Sequence, residues 1–313
     1  MVRSVTSSLF LTAFAGEVAA KIHGRSLYGE STSNHTCQLT DPVLSCSAGA
    51  QPNLTDSCCS ETYGGLLLST QYWDTYTGLE SQGQVLPKNS WTLHGLWPDF
   101  CDGSYTQYCD LSRQYDPAPN GNTSYVAPYN GSNIGTFLEP FGRYDLLAYM
   151  NKYWVSQGQP NPDFWGHEFS KHATCYSTFD VPCYGPQYVE HEDVVDFFET
   201  AIAWYRTVPT YDWLAAAGIV PSNSTTYSLV DIQSTLTEAF GAVPYLACSG
   251  AKSADGSGYT ALSEVWYYHH AVGRPQDRIK VPVAANATGG SLGNCATEPG
   301  AIHYYQRTNG SEA

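Results

Sequence analysis

The sequence predicts an α+β fold with a largely antiparallel central sheet packed with helices and crosslinked by disulfides. Two observations carry this. Strand-like and helix-like apolar patterns alternate in mixed order, with no repeating β-α unit and no internal repeat, which argues against a doubly wound sheet. Ten cysteines, an even number, with no C-x-x-C pair, fit an oxidised, secreted chain rather than a zinc ribbon or a redox motif. The length of 313 residues suits one large domain or two small ones.

The elements follow in order. Arg3, the apolar run Leu9 to Ala15 and the small residues Val18-Ala19-Ala20 make residues 1–20 a secretory signal peptide, too short to span a membrane. Residues 21–36 are a polar N-terminal arm. Four cysteines crowd the weakly periodic stretch from Cys37 to Cys59, which crosslinks must order. Gly65 to Trp73 reads as a buried strand, and Trp91 to Asp99 as a short strand ended by Pro98. Residues 102–135, rich in Gly, Asn, Ser, Tyr and Pro, are a surface excursion.

Tyr144 to Val155 has helical spacing, with Leu147, Met150 and Trp154 on one face. Phe164 to Cys175 is a helix opened by Pro162-Asp163. Val189 to Arg206 is amphipathic, with Glu190, Glu192 and Asp193 in its first turns, where the helix dipole favours acids. Tyr211 to Ala217 is a short helix ended by Gly218. Ser228 to Phe240 begins with a capping-box variant, Ser228 with Asp231, and Gly241 stops it. Tyr245 to Cys248 and Leu262 to His269 are strands around a Gly/Ser turn. Residues 281–295 are small and polar, and Ile302 to Gln306 is a last strand.

Net charge is −15 and only 14% of residues are charged, so no basic stripe exists for long nucleic acid. Seven Asn-x-Ser/Thr sequons, at Asn34, Asn53, Asn122, Asn130, Asn223, Asn286 and Asn309, favour a glycosylated protein of the secretory route, extracellular or in a vacuole-like compartment.

One stretch concentrates chemistry. Phe164 to Cys175 reads F-W-G-H-E-F-S-K-H-A-T-C. Residues four apart share a helix face, which aligns His167 with Lys171 and Glu168 with His172 as one polar patch. Alone, such a string also fits a solvated face. A shared metal is excluded, because residues five apart sit about 140° apart around a helix. A second stretch, W-T-L-H-G-L-W-P-D from Trp91 to Asp99, places His94 in an apolar strand.

Together these stretches resemble the two active-site segments of the T2 ribonuclease family, W-T-x-H-G-L-W-P and F-W-x-H-E-[WFY]-x-K-H-G-T-C. The visible departure is Ala173, where the family usually carries glycine. The resemblance implies a single catalytic domain over 37–295, with 296–313 as a C-terminal tail. It implies a monomeric endoribonuclease acting on single-stranded RNA, with low base specificity and no metal, cofactor or membrane. His172 would be the general base and His94 the general acid; Glu168 and Lys171 would stabilise the transition state, and His167 would bind phosphate. The residues by themselves leave the acid and base assignment open. Trp97 and Tyr105 would stack a base, Asp99 would accept from its exocyclic amine, and Phe164 and Gln71 would line a second base site. Trp97 and Phe164 fit a core equally well, and Asp99 a turn. The implied disulfides are Cys37–Cys59, Cys46–Cys101, Cys58–Cys183, Cys109–Cys175 and Cys248–Cys295.

Two rival readings differ in class. A secreted binding or toxic module on the same scaffold would dispense with a histidine, and both are present. A metal-dependent hydrolase would lose activity in a chelator, so RNA digestion with EDTA present separates it.

Overall fold

The structure, a computed structural model, describes residues 36–119, 125–277, 282–288 and 292–313. The signal segment, the arm up to residue 35 and the sequons Asn34 and Asn122 lie outside the described residues. In chain order the elements are α1 (Thr36–Leu39), β1 (Leu66–Tyr72), β2 (Thr92–Asp99), α2 (Tyr144–Tyr153), α3 (Asn161–Lys171), α4 (Glu192–Tyr205), α5 (Thr210–Ala216), β3 (Thr226–Tyr227), α6 (Leu229–Phe240), β4 (Tyr245–Lys252), β5 (Tyr259–His270), β6 (Val283–Ala285) and β7 (Ile302–His303).

β1 lies between β2 and β5, antiparallel to both. β4 and β6 pair antiparallel with β5 on its other side, and β7 meets β5 in parallel and β3 antiparallel. β1 is buried on both faces, which is why it reads as a continuous apolar run. Leu67 faces the main core with Leu93, Leu96, Trp165, Phe169, Phe197 and Phe198, under α2, α3 and α4. Leu66 and Leu68 face Tyr268 on the opposite side. A further core gathers Leu214, Leu236, Val265 and Ile302 beneath α5 and α6.

Three expectations need correction. β2 runs through Pro98 to Asp99, because it is an edge strand and a residue without an N–H is tolerated there. The capping box at Ser228 does not form: its hydroxyl accepts from the Gly300 amide 3.0 Å away, a contact made by chain folding and invisible locally. The C-terminal residues 296–313 pack onto the domain. Tyr304 is fully buried with its hydroxyl accepting from Trp91, and the Arg307 guanidinium donates to the carbonyls of Asp74, Pro87 and Ser90. Residues 102–135 are not wholly superficial. Tyr108, Arg113, Asp116 and Val126 are buried, and the Tyr108 and Tyr115 amides donate to Lys171 O and Ser170 Oγ. Loop composition signals the turns of such a segment but not which of its polar groups find partners inside.

Five disulfides join Cys37 to Cys59, Cys46 to Cys101, Cys58 to Cys183, Cys109 to Cys175 and Cys248 to Cys295. Each removes chain entropy worth about 2–4 kcal/mol. Cys109–Cys175 ties the excursion to the turn that follows α3.

Candidate active site

β2 carries an extra residue. Thr70 faces Gly95 and Gln71 faces Leu93, so His94 has no partner on β1 and forms a bulge. Bulges re-aim side chains beside active sites. This one lays the His94 ring on Tyr72, centroids 3.8 Å apart, with Nε2 3.1 Å from the Tyr72 hydroxyl. Across β1, Tyr72 pairs with Glu264 of β5, which puts that carboxylate on the same face. Glu264 Oε1 lies 2.5 Å from His94 Nδ1.

α3 supplies the other groups. Phe164, Trp165 and Phe169 are its buried side, while His167 and Lys171 line a cleft of about 560 Å³ together with Tyr72, Asp74, His94, Trp97 and Phe164. The single surface patch expected from helical spacing does not exist. Glu168 is fully buried, the helix ends at Lys171, and His172 turns inward, only 7% exposed. Neither Glu168 nor His172 lines the cleft. The reason is β2, which brings Trp97 against both: the indole N–H donates to Glu168 Oε2 at 2.8 Å, and the His172 ring stacks on the indole at 4.8 Å. Gly95 makes this possible, since a Cβ there would run into the Glu168 carboxylate and the indole nitrogen.

Glu168 thus stands between two imidazoles. Its Oε1 is 3.4 Å from His94 Nε2, an ion-pair separation. Burial opposes its charge, but His94 and His172 outweigh burial and hold the carboxyl down at about 2. Burial also opposes charge on His94, yet Glu264 and Glu168 raise it to about 9. His172 goes the other way. Burial lowers it well below the usual histidine value, Glu168 offsets only part of that, and Lys171 adds to the lowering. Its Nε2 is buried with no hydrogen-bond partner among the described residues.

His167 has its own carboxylate. Asp116 Oδ2 is 2.7 Å from His167 Nδ1 and accepts from the Tyr108 hydroxyl at 2.7 Å. The Lys171 ammonium forms no ion pair among the described residues.

The base-binding candidates scatter more widely. Trp97 and Phe164 lie at the cleft, Phe164 5.6 Å from the His94 ring. Asp99 ends β2 with a carboxyl that bonds nothing among the described residues, and burial lifts it to about 7. Tyr105 is 67% exposed and lies off the cleft wall. Gln71 sits on the opposite side of β1 from His94, with its amide donating to Val208 O and accepting from the Thr210 hydroxyl. Its neighbour Tyr72 occupies the cleft instead, because successive strand residues face opposite ways. Sequence reasoning missed Tyr72, Asp74, Asp116 and Glu264. Tyr72 was within reach of the period-two pattern once the face of His94 was known; the three acids carry no local mark.

The sequence signature of the Ribonuclease T2 family matches residues 64–286. A ribonuclease T2-like protein of Aspergillus fumigatus is 39% identical over 272 residues, 87% of this chain and 57% of that protein. This chain thus spans little more than half of that relative. Ribonuclease Trv of Hypocrea rufa is 41% identical over 222 residues, 71% of this chain and 81% of that one. The crystal structure of Actibind, a T2 ribonuclease, matches with a TM-score of 0.67 at 34% identity, covering 86% of this chain and 97% of that one.

Proposed function

The chain belongs to the ribonuclease T2 family, and from that premise we propose that it is a metal-independent endoribonuclease of low base specificity, cutting single-stranded RNA through 2′,3′-cyclic phosphates to 3′-phosphate products. The observation that carries the mechanism is the opposed pair of histidines. Titratable groups whose surroundings drive them apart make an acid and a base. His94, raised to about 9, arrives protonated; His172, lowered well below its usual value, arrives neutral.

In the first step His172 takes the 2′-hydroxyl proton. The 2′ oxygen bonds to phosphorus, the bond from phosphorus to the 5′ oxygen breaks, and His94 delivers its proton to that oxygen. Lys171 and His167, both on the cleft wall, meet the charge that builds on the phosphate oxygens. Glu168 faces the imidazolium at either stage, on His94 before the step and on His172 after it. In the second step water attacks the cyclic phosphate with the two roles exchanged. His172 Nε2 is sealed from solvent, so Trp97 leaves its ring as substrate enters and stacks on a base instead. The protein acts as a monomer in an extracellular or vacuole-like compartment. Five disulfides and five exposed sequon asparagines, Asn53, Asn130, Asn223, Asn286 and Asn309, support that setting.

A chimeric oligonucleotide with one ribose among deoxyriboses tests the mechanism. Cleavage falls only 3′ to that ribose, with EDTA present, and a cyclic phosphate precedes the 3′-phosphate. Cutting at a deoxy position, or a 5′-phosphate at the ribose, would rule it out.

The pH profile divides between binding and turnover. Burial lifts Asp74 to about 6, although His94 and Arg307 pull it down, and Asp99 stands at about 7. Both ionise as pH rises through that range, adding negative charge where the polyanion binds. KM therefore rises about five- to tenfold between pH 5 and 8, while kcat holds until His94 loses its proton near pH 9. On the acid side kcat persists well below pH 6.5, because His172 stays neutral there. The product is a bell in kcat/KM centred below neutrality. Asp74→Asn should flatten the KM rise; a KM equally steep in that variant would discard this explanation.

A further inference from the structure

On the face of β1 opposite His94 lies a second cavity, of about 200 Å³, backed by Gln71 and walled by Tyr149, Tyr153, Tyr205, Arg206 and Tyr211. From these groups we infer a remote subsite for single-stranded RNA, which takes one base of the strand outside the cleavage cleft. The inference rests on the ribonuclease reading above.

The size argues for one ring system, since pockets for whole drug-sized ligands run roughly 300–1,000 Å³. The lining argues for a base. Tyr149 and Tyr153 stand four apart on α2 with ring centroids 4.6 Å apart, and Tyr205 lies 6.4 Å from Tyr153. The hydroxyls of Tyr149, Tyr153 and Tyr211 bond nothing among the described residues, so the wall offers both stacking faces and unspent polar groups. Gln71 closes the floor with its amide nitrogen and oxygen each already engaged, by Val208 O and the Thr210 hydroxyl.

The charge argues for a polyanion. In a chain of net charge −15, the described cations Arg113, Arg143, Arg274 and Arg307 are held in ion pairs. Arg206 on the cavity wall forms none among the described residues. Lys152 is exposed with its ammonium 5.1 Å from the Tyr153 ring centre, and exposed Lys88 precedes Asn89 at the rim. Asp212 also lines the rim; it opposes phosphate and suits a ribose hydroxyl or an exocyclic amine. Aromatic platforms beside unpaired cations are how strands are held without sequence preference. The path is short in the fold: β2 is the sheet edge, and α2 leads directly to Trp154, whose indole N–H bonds the His94 carbonyl at 2.7 Å. A neutral glycan is the competing occupant, since tyrosines and an acid suit sugars too, but it gives the cations nothing to do.

The test uses the full chain and a fluorescein-labelled, uncleavable 2′-O-methyl RNA of about a dozen nucleotides, read by anisotropy. Tyr149→Ala and Arg206→Ala should each weaken binding about 5- to 10-fold, and Arg206→Ala should reduce the salt slope by about one. Cleavage of a dinucleoside monophosphate, too short to span both sites, should be unchanged, which also certifies the fold. Unchanged oligomer affinity, or equal losses on the dinucleoside, would overturn the subsite. So would a neutral oligosaccharide that displaces the oligomer while the salt slope stays the same in Arg206→Ala. Parent protein that binds the oligomer through these residues yet cuts no RNA would sink the ribonuclease reading and leave the subsite standing.

Discussion

His172→Ala and His94→Ala should each lower kcat on single-stranded RNA by about 10²–10⁴-fold, the usual worth of a general acid or base. Both side chains also have structural neighbours, so the fold must be followed separately by circular dichroism. His94 sits at a bulge on Tyr72, and His172 is buried against Trp97. Removing either leaves space at a strand edge or a helix end, costs that a chain with five disulfides tolerates. His167→Ala is the internal comparison. It faces the cleft with Asp116 behind it, so its loss should raise KM and spare most of kcat. His167 is more accessible than His172 in this structure, which makes the comparison decisive. A large kcat loss in His167→Ala with near-normal turnover in His172→Ala would exchange their roles.

Glu264→Gln should cost about 30-fold in kcat at pH 8 and almost nothing at pH 5. The carboxylate 2.5 Å from Nδ1 is, after burial, the largest influence on His94, and it raises the imidazole. An acid at about 9 is mostly protonated at pH 8. Were the amide to return it to the ordinary histidine value near 6.5, about one molecule in thirty would carry the proton at pH 8, and nearly all at pH 5. The alkaline limb of kcat thus moves toward acid, and the acid limb, which belongs to His172, stays. A structural role alone predicts a loss of equal size at both pH values, and that result would remove Glu264 from the mechanism.

The sequence by itself determined the α+β class and the positions of α2 to α6 and of the long strands, and it singled out His94, His167, Glu168, Lys171 and His172, the residues the proposed mechanism uses. These were legible because each rests on local order: periodicity over a dozen residues, or a motif whose members are neighbours in the chain. The disulfide pairing came with the family resemblance, since spacing alone does not choose among ten cysteines. Tertiary structure alone decided the rest. Helical spacing put Glu168 and His172 on one patch, but Trp97 from β2 covers them; burial then holds His172 well below the usual histidine value, whereas at His94 Glu264 and Glu168 overcome burial and raise it. Glu264 lies 170 residues from His94 and reaches it only because β1 pairs with both β2 and β5. Gln71 and Tyr72 exchanged places for a related reason. A strand shows which residues share a face, but which face meets the substrate is set by its neighbours, and a one-residue bulge at His94 fixed it here.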